Sequence, residues 1–113
     1  SRVWLVVDGQ VRAELLDPAE VGISPAEPSA LVGGDARFNA DVVRHVLTGA
    51  AGPVREAVLL NAAGAIAAFD GRLDSARSAI EYGLPIAAAA IDDGSAATLL
   101  RAWVELSQQL KAG

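Results

Sequence analysis

The chain of 113 residues contains no cysteine. That absence excludes disulfide bonds, thiolate metal sites and cysteine nucleophiles, and it fits a reducing compartment. Long apolar runs are also missing, because the longest candidate, Ile86 to Ile91, is far shorter than the roughly 18 residues of a membrane span. We therefore expect a cytoplasmic protein that has no membrane partner.

Basic residues are scarce and scattered. Nine Lys and Arg residues stand against 14 Asp and Glu, which gives a formal net charge of -5. Nucleic-acid binding needs clustered positive charge, so this composition argues against such a partner. Hydrophobic residues make up 52% of the chain and charged residues 20%, which predicts a packed core and not a disordered segment.

Residues 1–16 carry the pattern of a β-hairpin. Asp8-Gly9 lies between two apolar runs, and this dipeptide favours the tight turn in which both central residues have positive φ. The first run, Arg2 to Val7, is apolar on both faces. The second, Gln10 to Leu16, alternates, with Val11, Ala13 and Leu15 on one face and Arg12 and Glu14 on the other. It predicts a half-buried strand near a sheet edge.

The first strand has two apolar faces, and the rest of the chain is not expected to bury both of them. A lone hairpin is marginal in water, and a strand that is apolar on both faces belongs inside a larger sheet. We expect the missing cover to come from residues that precede Ser1, so the chain is interpreted as a fragment.

Residues 17–34 form a proline-rich connecting loop. Pro18, Pro25 and Pro28 fix the backbone and remove hydrogen-bond donors, so the segment is extended or turned. One helical turn is expected at its start, over Asp17 to Val21.

Residues 35–113 predict four mainly alanine-rich helical segments. Asp35 caps the first, which Gly49 ends, and Arg37 and Asp41 are spaced to pair on its polar face. The second begins at Gly52-Pro53 and runs to about Phe69. It is apolar nearly all round, which is typical of an interior helix, and Gly64 predicts a close approach of a neighbour.

The last two helical segments are separated by Gly94. The third starts at Asp74 or Ser75, and Gly83 and Pro85 predict a kink or a break within it. Ser95 is expected to cap the fourth, which carries the apolar stripe Leu99, Trp103, Leu106 and Leu110. The predicted fold class is therefore an α/β fragment: a hairpin, a loop and four helices.

No catalytic, cofactor-binding or metal-binding residue can be assigned. His45 is the only histidine and lies on a polar helix face, so it is interpreted as a surface residue. Asp92-Asp93 lacks the spacing of a calcium loop and is interpreted as a helix end, and Asp70 and Asp74 as turn and cap residues.

Two asparagines and a glycine pair are the remaining polar candidates. Gly33-Gly34-Asp35 opens a helix, but the Asp35 carboxylate would repel a phosphate, so a capped helix start is favoured over an anion site. Asn39 and Asn61 both fall on apolar faces, where an unpaired amide is costly. We expect each to bond loop backbone, such as the Gly33-Gly34 turn; contact with a ligand is the alternative.

Three motifs resemble the C-terminal part of anthranilate phosphoribosyltransferases. They are Gly-Gly-Asp-Ala-x-x-Asn-Ala at Gly33 to Ala40, Leu-x-Gly at Leu47 to Gly49, and Gly-Pro-x-Arg-Glu-Ala-Val-Leu-Leu-Asn-Ala-Ala at Gly52 to Ala63. The hairpin with Val3-Trp4 and the Ala-Ile-Asp-x-Gly pattern at Ala90 to Gly94 also match. The proline at position 85 departs from the family pattern.

The resemblance implies an enzyme of tryptophan biosynthesis that transfers a phosphoribosyl group from phosphoribosyl pyrophosphate to anthranilate with magnesium. It further implies that residues 1–113 are the C-terminal portion of one α/β domain, of the kind shared with nucleoside phosphorylases. The family's phosphate loop and its magnesium-binding Asp-Glu pair would both precede Ser1. We therefore expect the isolated chain to be inactive and its partner to be the missing N-terminal part of the same enzyme.

Two alternatives remain open. The chain could be a free-standing helical interaction module with an exposed apolar docking surface. It could also be a piece of a related nucleoside phosphorylase. The sequence makes no prediction of the oligomeric state.

Overall fold

The computed structural model describes residues 1–113 and has the predicted order of elements. Two strands are followed by two short 3-10 turns and four helices. The bounds are β1 Arg2–Val7, β2 Gln10–Leu15, the turns Pro18–Val21 and Pro28–Leu31, α1 Ala36–Leu47, α2 Pro53–Phe69, α3 Ala76–Asp92 and α4 Ser95–Ala112. None of the helices is long and apolar enough to cross a membrane.

The hairpin forms as predicted. Asp8 and Gly9 have φ values of 51° and 76°, which is the positive-φ pair that a two-residue turn needs. The strands pair antiparallel, with Trp4 opposite Ala13. At the open end the Ser1 nitrogen donates to the Leu16 carbonyl at 2.7 Å, and the Leu16 N–H donates back to the Ser1 carbonyl. The hairpin is therefore hydrogen-bonded along its whole length.

Helices α2 and α3 approach each other closely at Gly83. A Cβ atom added there would lie 2.5 Å from the Ala63 Cα and 2.7 Å from its carbonyl carbon. Gly64, which the sequence predicts as the position of close approach, has only the Cδ1 of Ile80 within 4 Å of its added Cβ, at 3.8 Å. The prediction is therefore wrong in position, because the contact uses the backbone opposite Gly83.

Helix α3 is continuous through Gly83 and Pro85, so of the predicted kink or break the break is wrong, and the kink stays a prediction. Ser75 caps it by accepting from the Ser78 N–H, and the Ser78 hydroxyl oxygen accepts from the Ser75 N–H in return. Pro85 cannot donate to the carbonyl four residues earlier, which costs the helix one hydrogen bond. Buried α3 residues on both sides of Pro85, Ile80 and Ala87 among them, still hold the helix against the core.

The core consists of two small clusters. One contains Leu16, Ala63, Ala76 and Ile80, and the other contains Val46, Leu59, Ala87 and Ile91. Only 12 of the 113 residues are buried. The radius of gyration is 16.1 Å, whereas a compact domain of this length has about 13 Å. The chain is therefore more open than a self-contained domain.

Several predicted buried faces are uncovered in this chain. Helix α2 is exposed along one side, and Phe69 at its end is 92% exposed, so the prediction of an interior helix holds only in part. The apolar stripe of α4 is exposed throughout. Ser95 is the first residue of α4 and Gly94 its N-cap, so the predicted cap is wrong by one residue.

Candidate functional site

The face of the hairpin that lies against the helices carries the polar residues of β2 beside the apolar residues of β1. Glu14 accepts from the Ala76 N–H at 2.6 Å, at the start of α3, and from the Arg12 Nε at 2.8 Å. Arg12 also donates to the Asp74 carbonyl at 2.6 Å. The first N–H groups of a helix have no partner within the helix, so a carboxylate there is stabilised. The bond from Ala76, followed by the one from Arg12, lowers the pKa of Glu14.

The outer face of the hairpin is apolar and exposed. The strand register places side chains of both strands side by side on it, and Trp4 is 61% and Leu15 81% exposed. The face consists of Trp4, Val6, Val11, Ala13 and Leu15, with Arg2 at its edge opposite Leu15. Exposed apolar patches mark protein–protein or membrane interaction sites or ligand-binding grooves. We call it the hairpin outer face, and it is the candidate functional site of the chain.

The start of α1 is closed by a side-chain clamp. Asn39 accepts from the Gly34 N–H at 2.9 Å and donates to the Gly34 carbonyl at 3.1 Å. Asp35 caps the helix by accepting from the Phe38 N–H at 2.8 Å. The predicted bond from Asn39 to the glycine turn is confirmed, although the side chain is exposed. The clamp occupies the Gly34 amide, which fits a capped helix start better than an anion site.

Asn61 does not bond loop backbone, so that prediction is wrong. Its Nδ2 donates to the Ala57 carbonyl at 2.8 Å, one turn earlier in the same helix, and the residue is exposed. A mid-helix amide can make this bond without help from the rest of the fold. The two asparagines therefore do not form a common site.

The remaining polar candidates of α1 lie at the surface. His45 is exposed, as predicted, with its Nδ1 3.3 Å from the Asp41 carbonyl oxygen. Asp41 pairs with Arg44 at 3.0 Å, so the predicted pair with Arg37 is wrong. The i,i+3 and i,i+4 spacings both bring charges together on a helix, and sequence does not choose between them.

The acidic residues at helix ends have structural partners. Asp92 forms a bidentate pair with Arg55, with both distances 2.9 Å, which ties the end of α3 to the start of α2. Asp93 accepts from the hydroxyl and the N–H of Ser95, and these bonds lower its pKa. Asp70 accepts from the Tyr82 hydroxyl at 2.7 Å, and this bond raises the pKa of Tyr82. These contacts agree with the interpretation of the acids as helix-end and turn residues.

The magnesium that the resemblance implies does not fit the residues present. No three His, Cys, Asp or Glu side chains are grouped closely enough to hold a metal ion. The adjacent acids Asp92 and Asp93 are engaged by Arg55 and Ser95. The chain offers no site through which a metal-dependent step can be derived.

Sequence reasoning missed three contacts that shape this part of the molecule. They are the bond from Ala76 to Glu14, the bidentate pair of Arg55 with Asp92, and the approach of Gly83 to the Ala63 backbone. Each joins residues that are 20 or more positions apart, so no local pattern contains them. Glycine at position 83 is the one local signal, because a mid-helix glycine suggests close packing.

Comparison with known proteins identifies the family. Residues 1–97 match the family model described as "Glycosyl transferase family, a/b domain". Because that match covers most of the chain, the chain belongs to this glycosyl transferase family.

Individual relatives carry one enzyme name. A protein named anthranilate phosphoribosyltransferase from Thermobifida fusca (strain YX) is 55% identical over 108 residues, which is 96% of this chain and 31% of that protein. The protein of that name from Acidothermus cellulolyticus is 54% identical over 109 residues, with the same shares. One from Mycobacterium leprae (strain Br4923) is 50% identical over 112 residues, 97% of this chain and 31% of that protein. The chain thus spans about a third of the length of the curated relatives it matches.

Proposed function

We propose that this chain is the C-terminal segment of an anthranilate phosphoribosyltransferase. The observation that carries the proposal is identity of about half of all positions along nearly the whole chain to proteins of that name. Such an enzyme transfers a phosphoribosyl group from phosphoribosyl pyrophosphate to anthranilate, in the synthesis of tryptophan. The relatives' shared name favours this reading over a nucleoside phosphorylase.

The role of the segment is to support the reacting part of the enzyme. Transfer of a phosphoribosyl group needs preorganised donors or a metal for the pyrophosphate and stabilisation of charge at the ribose. The chain has no metal-binding group, and its acids are engaged in helix-end contacts. Both substrates and magnesium would therefore bind to the remainder of the enzyme, and the isolated chain would not turn over.

The hairpin outer face is the surface through which this support acts. The inner face of the hairpin is anchored to α3 by Glu14, so the hairpin presents Trp4 and the neighbouring apolar side chains outward in a fixed orientation. Burying a large apolar side chain contributes about 1.5–3 kcal/mol. Cover from further strands or helices of the same domain would make the hairpin part of a stable sheet.

A chimera tests the proposal. The matched third of the Thermobifida fusca enzyme is replaced by this chain, and loss of anthranilate fluorescence is followed with phosphoribosyl pyrophosphate and magnesium. We expect the chimera to be active, while the enzyme that lacks the segment and the isolated chain are both inactive. Full activity and stability of the shortened enzyme would refute the supporting role, and turnover by the isolated chain would refute its predicted inactivity.

A pair of variants tests the surface. Val6→Glu places a charge on the hairpin outer face, and we expect it to lower the activity and melting temperature of the chimera. Gln10→Glu adds the same charge at an exposed position of the same hairpin, beside the turn, and serves as the control. Equal effects of the two substitutions would contradict a covered outer face.

A further inference from the structure

The dipeptide Asp-Gly occurs three times in the chain, at Asp8-Gly9, Asp70-Gly71 and Asp93-Gly94. Aspartate before glycine can rearrange without an enzyme, because no side chain on the glycine hinders attack by its nitrogen on the aspartate carboxyl group. The attack needs an accessible carboxyl group and a glycine N–H that can turn toward it. Since the local dipeptide is the same at all three sites, the folded structure decides which of them reacts.

The first of these sites has both reacting groups free. Asp8 and Gly9 form the exposed tip of the hairpin. Carboxylates of other aspartates accept hydrogen bonds within the chain, whereas that of Asp8 accepts none. The Gly9 N–H donates none, because the turn is closed by the pair Val7 and Gln10 on either side of it. The peptide group between Asp8 and Gly9 can therefore rotate without the loss of a hydrogen bond.

The second site has both reacting groups engaged. The Asp70 carboxylate accepts from the Tyr82 hydroxyl at 2.7 Å. Just beyond the end of α2, the Gly71 N–H donates to the Ala68 carbonyl at 3.3 Å. Attack by the Gly71 nitrogen on the Asp70 carboxyl group would require both hydrogen bonds to break.

The third site is engaged in the same way. The Asp93 carboxylate accepts from the N–H and the hydroxyl of Ser95, and the Gly94 N–H donates to the Ile91 carbonyl at 3.2 Å. The bonds from Ser95 hold the pKa of Asp93 below its ordinary value, which lowers the fraction of protonated acid. The protonated acid is the reactive form, because its hydroxyl group can leave as water.

We propose that Asp8 is a site of spontaneous conversion to isoaspartate. The Gly9 nitrogen attacks the Asp8 Cγ and forms an N–C bond, and the N–H proton and the carboxyl hydroxyl leave together as water. The product is a cyclic succinimide. Addition of water to its main-chain carbonyl breaks the original peptide bond to Gly9, so that the chain continues through the Asp8 side chain, whereas addition at Cγ restores aspartate. Water is released and then taken up again, so the overall change is an isomerisation.

The rearrangement would act on the register of the hairpin. Isoaspartate adds one carbon atom to the main chain, and a two-residue turn fixes how the two strands pair. The pairs nearest the turn are Val7 with Gln10 and Val6 with Val11. We expect the longer turn to disrupt these pairs and with them one end of the hairpin outer face. The inference is independent of the proposed function, since it depends only on the hydrogen bonds around the three dipeptides.

Peptide mapping with electron-transfer fragmentation measures isoaspartate at each site. The isolated chain and the Thermobifida fusca chimera are aged at neutral pH without denaturant and in concentrated urea. At least two hydrogen bonds must break at each of the other sites, so without denaturant we expect isoaspartate to form about tenfold faster at Asp8 than at Asp70 or Asp93. In urea the three rates should be similar. Equal rates without denaturant, or a faster reaction at Asp70 or Asp93, would overturn the inference.

Two substitutions test the chemistry at these sites. Tyr82→Phe frees the Asp70 carboxylate and leaves the Gly71 N–H bonded, so the rate at Asp70 should rise but remain below that at Asp8. Equal rates at Asp70 and Asp8 in this variant would contradict the role of the free Gly9 N–H. Asp8→Asn keeps a dipeptide suited to the turn and releases ammonia in place of water. It should convert several-fold faster than the parent chain, and a variant that does not convert would overturn the proposed attack by the Gly9 nitrogen.

The isoaspartate form can be separated by chromatography from the unaged protein. We expect it to have a lower melting temperature, because the turn no longer matches the strand pairing. An equal melting temperature would overturn the predicted disruption of the hairpin. Activity of the chimera is not needed for any of these measurements, so an inactive chimera would count against the proposed function alone.

Discussion

Replacing Gly83 by alanine should destabilise the chain, although alanine is the better helix former. In a helix interior the change from glycine to alanine gains about 1 kcal/mol. Here the new Cβ would lie 2.5 Å from the Ala63 Cα and 2.7 Å from its carbonyl carbon, and closer still to its oxygen. Carbon atoms prefer a separation of about 3.5–4.0 Å, so α2 and α3 must move apart by about 1 Å.

The loss of stability from the added methyl group should lie at the upper end of the range known for overpacked cores. Insertions of this kind cost about 1–3 kcal/mol, and the atoms in the way are backbone that cannot rotate aside. With the gain in helix propensity subtracted, we expect a net loss of about 2 kcal/mol. At about 4 °C per kcal/mol for a chain of this size, the melting temperature should fall by about 8 °C.

Far-UV circular dichroism with urea and heat measures this loss, and Gly64→Ala is the control. The added Cβ of residue 64 would be 3.8 Å from the Ile80 Cδ1, an ordinary contact, so the substitution should be neutral or stabilising by up to about 1 kcal/mol. The urea midpoint of Gly83→Ala should fall with an unchanged slope. Stability equal to the parent chain, or an equal loss in the control, would refute the reasoning.

A double substitution identifies which atoms cause the clash. Because the close atoms of Ala63 are its carbonyl group and Cα, Ala63→Gly should not restore the stability of Gly83→Ala. Rescue would mean that the Ala63 side chain causes the clash, which contradicts the geometry above.

Three further predictions concern polar contacts. The pKa of Glu14 is lowered in the folded chain, so the stability that its carboxylate contributes is complete above the ordinary pKa of 4.5 and is lost as pH falls below that value. Glu14→Gln should therefore flatten the dependence of the melting temperature on pH in that range. An unchanged dependence would exclude the bond to α3. Tyr82 is the only tyrosine, so its titration at 295 nm is read alone, and Asp70→Asn should lower its raised pKa; no change would show that the bond is not formed. Asn39→Ala should lower the free energy of unfolding by about 1 kcal/mol, measured by urea denaturation. The Cβ of Gly33→Ala would lie 2.8 Å from the Asn39 Oδ1, so Gly33→Ala should destabilise the Asn39→Ala variant less than it destabilises the parent chain. Additive losses of stability would contradict the clamp.

Local signals predict the elements of this chain well. Asp8-Gly9 predicts the hairpin turn, Asp35 the cap of α1 and Pro53 the start of α2, and all three are confirmed because each depends only on residues a few positions away. The predicted break at Pro85 is wrong because the local sequence shows only the hydrogen bond that proline removes. Packing of α3 against α2 on both sides of Pro85 keeps the helix continuous, and that packing involves residues distant in sequence.

The hairpin is predicted from the sequence, but which of its faces lies against the helices is not. Alternation in β2 separates Val11 and Leu15 from Arg12 and Glu14, and it states only that two faces differ. Which face of β2 points inward depends on the element against which the hairpin packs. Here that element is the start of α3, whose free N–H groups bond a carboxylate such as Glu14 and cannot bond an apolar side chain. The same contact leaves the apolar face outward. An outward apolar face on a strand that is apolar on both sides is stabilised when another layer covers it, and this requirement, more than any single residue, supports the proposal that the hairpin is part of a larger α/β domain.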